Sequence, residues 1–296
     1  MERHIFLPKL MEEKGIKGFN ITIPYKEIVM SQLDFISEEA EKIGAVNLVK
    51  IKNGESYGYN SDYYGVVEML EKHDVKVKGK ICYVLGSGGA SKSVIVALHD
   101  LGAKEIVVVT RDVESKRREL KNRFRNIEVV SYENIIGGDI VVNTTPLGMY
   151  PNIDSSPLDE EILKRFDIAV DIVYNPKTTK FLQLAKNCSL KCVDGVSMLV
   201  GQAIKSDELW EGIDIDGDTR EEVEKRVIER LEHGNVTDEV LKEYADPESE
   251  KYDRMVEEIR RELNFTSLRF NRLDDMLDAT GLPHECLCTY CWDGRE

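Results

Sequence analysis

Residues 83–98, YVLGSGGASKSVIVAL, place Gly86, Gly88 and Gly89 between an apolar strand and an amphipathic helix. Glycines at that junction let the backbone turn tightly and approach a pyrophosphate, whose charge then faces the helix N-terminus. Plain strand-to-helix turns also use glycine for steric reasons, so the surrounding strand and helix alternation decides for a dinucleotide. The next strand, EIVVVT, ends at Thr110 and Arg111. NAD-specific proteins carry an acid there for the ribose 2′-hydroxyl, whereas an arginine suits a 2′-phosphate, so NADP is the expected cofactor. Lys116, Arg117 and Arg118 either add to that positive charge or form a solvated helix face. A second stretch, GFNITIPYKE at 18–27, closes an apolar run with Pro24, Tyr25 and Lys26, a cation on a strand that otherwise asks for burial. A third, NTTPLGM at 143–149, follows a strand at the sheet edge where ligands of doubly wound folds lie, which makes Asn143, Thr144 and Pro146 cofactor-side loop residues.

The elements that must hold these residues follow from periodicity. Residues 4–14 space Ile5, Phe6, Leu10 and Met11 as a helix, and FNITI reads as a strand. Residues 27–43 read as helical, GAVNLVKIKNGESYGYN as a hairpin turning at Asn53–Gly54, and 62–73 as a helix. From Gly79 short β-branched runs alternate with amphipathic stretches. The strands are ICYVLG, EIVVVT, IEVVS, DIVVNTT, IAVDIVY and KCVDG, and the helices cover 90–101, 112–123, about 158–165 and 178–187. Such alternation implies right-handed βαβ units and a parallel sheet covered on both faces. Two more helices, SMLVGQAIKSDELW and TREEVEKRVIERLEH, are expected to return onto the first domain. The fold class is therefore α/β, a Rossmann-like doubly wound sheet with a second, smaller α/β domain and a helical C-terminal extension. The expected division is 1–65 with 196–234 for substrate, 66–195 for NADP, and 235–296 as the extension.

The 296 residues suffice for two domains, and 42% are hydrophobic. A net charge of −15 would repel nucleic acid and anionic membrane surfaces alike. No apolar run has the length of a membrane span, and the charged N-terminus lacks a signal peptide's centre, so a cytoplasmic protein is expected. The extension carries 16 acidic against 8 basic residues, with apolar helical spacing at Tyr252, Met255, Val256, Ile259 and Leu263. Cys286, Cys288 and Cys291 are spaced to begin a zinc or iron–sulfur site, but no further ligands accompany them and no metal is expected. Cys82, Cys188 and Cys192 read as packing residues.

GFNITIPYK, GAVN, GYNSD, GSGGAS, NTTPLGM, DIVYNP and DGVSMLVGQ, in that order, resemble the successive motifs of shikimate dehydrogenase over residues 4–234. The resemblance implies reversible, NADPH-dependent reduction of 3-dehydroshikimate to shikimate in chorismate and aromatic amino acid biosynthesis. It makes Lys26 and Asp62 the catalytic pair and Thr22, Asn47, Ser61, Tyr174 and Gln202 the substrate contacts. Ser61 replaces the usual threonine but keeps its hydroxyl. The cofactor set becomes Gly86, Ser87, Gly88, Gly89, Ala90, Thr110, Arg111, Asn143, Thr144 and Gly195. Physical chemistry agrees with the pair: negative charge develops on a ketone oxygen during reduction, and an ammonium beside it stabilises that charge and can hand over a proton. Taken singly, Lys26 could be an exposed strand-end lysine and Asp62 the cap of a helix starting at Tyr63.

Against the family pattern, Met1 falls inside the first helix, and the serine-bearing loop G-x-P-x-x-H-S-x-S-P that holds the substrate carboxylate would precede it. Weakened substrate binding is the expectation. Residues 256–294 resemble the C-terminal end of amidophosphoribosyltransferase, without its phosphoribosyl-transfer machinery. Beyond a small-molecule substrate, the expected state is a monomer or homodimer. Two alternatives stay open: a quinate or aminoshikimate dehydrogenase, and a catalytically impaired NADP-binding fusion relic.

Overall fold

The β-branched runs after Gly79 form strands whose alternate residues enter two separate cores. The computed structural model describes residues 17–22, 25–124 and 126–233. Among these, β5 (Ile81–Leu85), β6 (Glu105–Val109), β7 (Ile127–Val130), β8 (Ile140–Asn143), β9 (Ile168–Asp171) and β10 (Lys191–Val193) pair in parallel in the order β10-β9-β8-β5-β6-β7. Cys82, Val84, Ile106, Val108, Val129, Ile140 and Val142 line one face, and Tyr83, Leu85, Val107, Val109 and Val141 the other. This period of two, with apolar residues on both faces, is what a parallel sheet covered by helices on each side requires. The first face is covered by α2 (Ser61–Lys72) and α3 (Gly89–Asp100), through Val66, Met69, Leu70, Val94, Ile95 and Leu98. The second packs on Leu163 and Phe166, around α5 (Glu160–Leu163), and on Phe181, Leu182 and Ala185 of α6 (Lys180–Asn187). The strand order reverses between β5 and β8, so the crevice at their carboxyl ends is the switch point at which such sheets bind ligands.

The described residues fall into two compact units. One holds those up to Ile36 together with Val46–Gly58; the other holds Ser37–Ala45 and Tyr59–Glu232. In the first, β1 (Gly18–Asn20), β2 (Phe35–Ile36), β3 (Leu48–Lys52) and β4 (Glu55–Tyr59) form a sheet ordered β1-β3-β4-β2, with β1 antiparallel to β3 and β2 parallel to β4. Positive φ angles of 55° at Asn53 and 80° at Gly54 close the expected turn.

One expected helix is overturned. Residues 27–43 hold a 3-10 turn over Ile28–Gln32, the edge strand β2, and only then α1 (Glu38–Ile43). The cause is tertiary: Ser56 donates its N–H (2.8 Å) and hydroxyl (2.7 Å) to the Asp34 carboxylate, and the Asp34 N–H donates to the Ser56 hydroxyl (3.0 Å). These bonds fix Phe35–Ile36 opposite Tyr57–Gly58. Two other elements are shorter than expected, since α5 is a single turn capped by Asp159 and β9 stops at Asp171. The expected helix over 4–14, the extension's helices and Cys286, Cys288 and Cys291 lie outside the described residues. Cys82 is buried and burial pushes its thiol up to about 12, while Cys188 and Cys192 are half-buried with thiols raised by the same cause. All three act as packing residues.

The long helices α7 (Val196–Glu211) and α8 (Gly217–His233) belong to the unit of α2, and Val196, Val200 and Ile204 meet Val223, Val227 and Ile228. Helices α2 and α7 cross at glycine: a Cβ on Gly65 would lie 2.5 Å from the Met198 carbonyl oxygen and 3.1 Å from the Gln202 Cβ. Backbone cannot yield to such a contact without separating the helices. Gly65→Ala is therefore expected to cost about 1–3 kcal/mol. Thermal denaturation should read this as a fall in Tm of roughly 3–10 °C.

Candidate active site

Each unit gathers its own set of polar residues. In the first, the Ile21 N–H donates to the Asn47 carbonyl (2.8 Å), the Tyr25 N–H to the Thr22 carbonyl (2.9 Å) and the Val46 N–H to the Lys26 carbonyl (2.8 Å). These bonds hold Thr22, Lys26 and Asn47 at one end of the β1–β3 pair, with Asn47 buried and Lys26 half-buried.

In the second unit, Asn60 caps α2 by accepting from the Tyr63 N–H (3.3 Å), and its amide donates to the Ala45 carbonyl (2.9 Å). Asp62, in the first turn, is thus not the cap, which removes the plainer explanation for its presence. One residue earlier, the Ser61 hydroxyl reaches Gln202 Oε1 on α7 (3.3 Å). The glycine crossing of α2 and α7 is what allows this approach. Tyr174, half-buried after β9, packs against Val196, Val200 and Ile204.

The glycine turn has the backbone that a pyrophosphate site needs. Gly86 has φ 101°, a region open to glycine, and a Cβ there would meet Thr144 Oγ1 at 3.0 Å. Gly88 and Gly89, at the N-terminus of α3, face open space where a Cβ would meet nothing within 4 Å. The Ser87 hydroxyl is bonded to that of Thr110 (2.9 Å), tying the turn to the end of β6. Arg111 follows, exposed. Lys116 pairs with Glu119 (2.7 Å) and Arg117 with Glu114 (3.0 Å), so these two behave as a solvated helix face, while Arg118 is exposed. Gly195, at the N-terminus of α7, is packed against backbone at Ile172 and Val173, where a side chain has no room.

Two residues behave differently from a reading of the sequence. Asn143 is fully buried, with its amide donating to Asp171 Oδ1 (3.0 Å) and its Oδ1 accepting from the Thr145 N–H (3.0 Å) and hydroxyl (2.7 Å). Its side chain is engaged by protein, so any effect on a ligand passes through the loop it holds. Asp171 is not among the residues singled out by motif, although a carboxylate inside the apolar run IAVDIVY is a signal, because a buried charge needs partners.

A family model described as shikimate dehydrogenase substrate binding domain matches residues 4–49. The chain is 52% identical to the shikimate dehydrogenase (NADP(+)) of Clostridium perfringens over 212 residues, 71% of this chain and 78% of that protein. The chain belongs to the shikimate dehydrogenase family. Among solved members of that family, a chorismate mutase/shikimate 5-dehydrogenase fusion protein from Clostridium acetobutylicum matches with a TM-score of 0.70 and 43% identity, over 73% of this chain and 79% of that one. The shikimate 5-dehydrogenase of Thermus thermophilus, in complex with NADP(H) and shikimate, matches with a TM-score of 0.66 and 34% identity, over 74% and 83%. No helix among the described residues is long and apolar enough to cross a membrane.

Proposed function

We propose that the protein catalyses the reversible, NADPH-dependent reduction of 3-dehydroshikimate to shikimate. Membership of the shikimate dehydrogenase family carries this reading, and the open glycine turn beside Thr110 and Arg111 supports NADP as the cofactor. NADPH supplies the hydride when bound. The backbone N–H groups at Ser87–Ala90 would hold its pyrophosphate and Arg111 its 2′-phosphate, with the Asn143–Thr144 loop and Gly195 on the cofactor side.

Lys26 stabilises the charge that develops on the substrate oxygen and holds the proton transferred to it, and Asp62 is the second catalytic residue. Thr22, Asn47, Ser61, Tyr174 and Gln202 bind the remaining polar groups of the substrate. In this reading residues 1–65 and 196–234 serve the substrate and 66–195 the cofactor, in a cytoplasmic monomer or homodimer. The segment 235–296 is an extension whose end resembles that of amidophosphoribosyltransferase and to which no phosphoribosyl transfer is assigned.

Purified protein should reduce NADP with shikimate, followed by the appearance of NADPH absorbance, and should turn over quinate with NAD far more slowly. Faster oxidation of quinate with NAD would overturn the assignment in favour of a quinate dehydrogenase. NADP binding with no turnover of either acid would leave only a dinucleotide-binding protein.

A further inference from the structure

Asp171 ends β9 in full burial, where three donors converge on it: the Thr179 hydroxyl (2.6 Å) on Oδ2, and the Asn143 amide (3.0 Å) and Val173 N–H (3.0 Å) on Oδ1. Burial, with Asp194 nearby, raises this carboxyl to about 7 against those bonds, which all favour the charged form. Nothing in the reaction proposed above uses the group. Its connections lead outward, because Asn143 Oδ1 accepts from Thr145, whose hydroxyl in turn accepts from the Leu147 N–H (3.3 Å), and the Asn143 amide also reaches the Leu147 carbonyl (3.4 Å). The loop after β8 is thus tied to a buried carboxylate through Asn143, beside the bonds from the Thr144 hydroxyl to the Leu85 carbonyl (2.6 Å) and from the Gly148 N–H to Ser155 (2.9 Å).

We infer that Asp171 is a positioning residue for NADP, fixing the Thr144–Gly148 loop against the glycine turn through Asn143. The inference rests on the proposed cofactor. Position in the sheet gives it a specific consequence. The loop follows β8, on one side of β5, whereas Thr110 and Arg111 follow β6 on the other. Dinucleotides lie across this crevice with the adenosine ribose at the end of the second strand, which is β6 here, so the loop serves the nicotinamide half. Asp171 should therefore govern how the whole dinucleotide binds without affecting its adenosine end.

The test compares Asp171→Asn with the unaltered protein, measuring Kd for NADPH and for adenosine 2′,5′-bisphosphate, alongside the thermal transition. An asparagine amide would confront three donors with a further donor, and losing one charge-assisted bond is on the order of tenfold in affinity. The expected result is NADPH binding weakened about tenfold with adenosine 2′,5′-bisphosphate binding unchanged. Equal weakening of both, or of neither, overturns the inference, since a purely structural role cannot separate the two ligands. If Asp171→Asn does not fold, Thr179→Val deletes the shortest of the three bonds together with the cap of α6, and the same selective loss, smaller in size, is required of it, with any loss of stability read separately in the thermal transition. Failure of the unaltered protein to bind NADPH would sink the cofactor reading and this inference with it.

Discussion

Lys26→Ala is expected to lower kcat for shikimate oxidation by about 10²- to 10⁴-fold while leaving the Kd for NADPH unchanged. The magnitude is that of losing a positioned acid–base group, which takes the hydroxyl proton in oxidation and returns it in reduction. The selectivity follows from role, because the proposed cofactor contacts do not include Lys26. A charge role and a proton role can be told apart with Lys26→Arg. A guanidinium keeps the positive charge but does not give up its proton at any working pH. If Lys26 only neutralises charge, arginine should restore most of the rate. If it exchanges a proton with the substrate oxygen, Lys26→Arg should bind shikimate comparably and remain nearly as slow as the alanine variant, because a guanidinium that stays protonated can take up no proton. Steady-state kinetics with a fluorescence titration of NADPH decide the matter, and turnover by Lys26→Ala close to that of the unaltered protein would remove Lys26 from the reaction.

What the sequence made legible was set by local rules. Strands such as Ile81–Leu85 and Glu105–Val109 declare themselves by β-branched runs, and the turn at Gly86 by the residues on either side. The helix expected over 27–43 failed because its decisive interaction, between Asp34 and Ser56, spans 22 positions and outweighs helical spacing. Taken singly Asp62 reads as a helix cap, a place that Asn60 fills. Asn143 was visible as the end of a strand, yet its engagement with Asp171, 28 positions later, was not. Gly65 is the sharpest case: a glycine inside a helix reads as a weakness, and only the crossing with α7 gives it a purpose. Site chemistry is therefore readable where one residue type suffices, and hidden where it depends on which distant partner holds that residue in place.

Arg220→Met is expected to destabilise the fold by about 3–5 kcal/mol, the range for stranding one partner of a buried ion pair. Arg220 on α8 donates from Nη1 to Glu68 on α2 (2.8 Å), from Nη2 to Glu208 on α7, and from Nε to the Ile215 carbonyl (2.9 Å). Glu208 is only 6% exposed. Burial alone would raise its carboxyl; the Ile215 N–H, Lys205 and Arg220 more than reverse that and leave it below its ordinary value. The sign of the pH dependence follows. A depressed carboxyl contributes stability above its unfolded value of 4.5, which is lost as pH falls through the folded value. The deficit of Arg220→Met should thus be fully present at neutral pH and shrink below about 4.5, where Glu208 is protonated in the unfolded chain. Thermal denaturation across pH should show a fall in Tm of roughly 10 °C at neutrality. Pairing Arg220→Met with Glu208→Leu should recover part of it, because the charge of Glu208 is gone while Glu68 and the Ile215 N–H still lose their partners. A single variant as stable as the parent at neutral pH would mean that Lys205 and the Ile215 N–H suffice for Glu208. The helices bearing Ser61 and Gln202 would then be held by the Gly65 and Gly201 crossing and the apolar contacts of α7 with α8, not by charge.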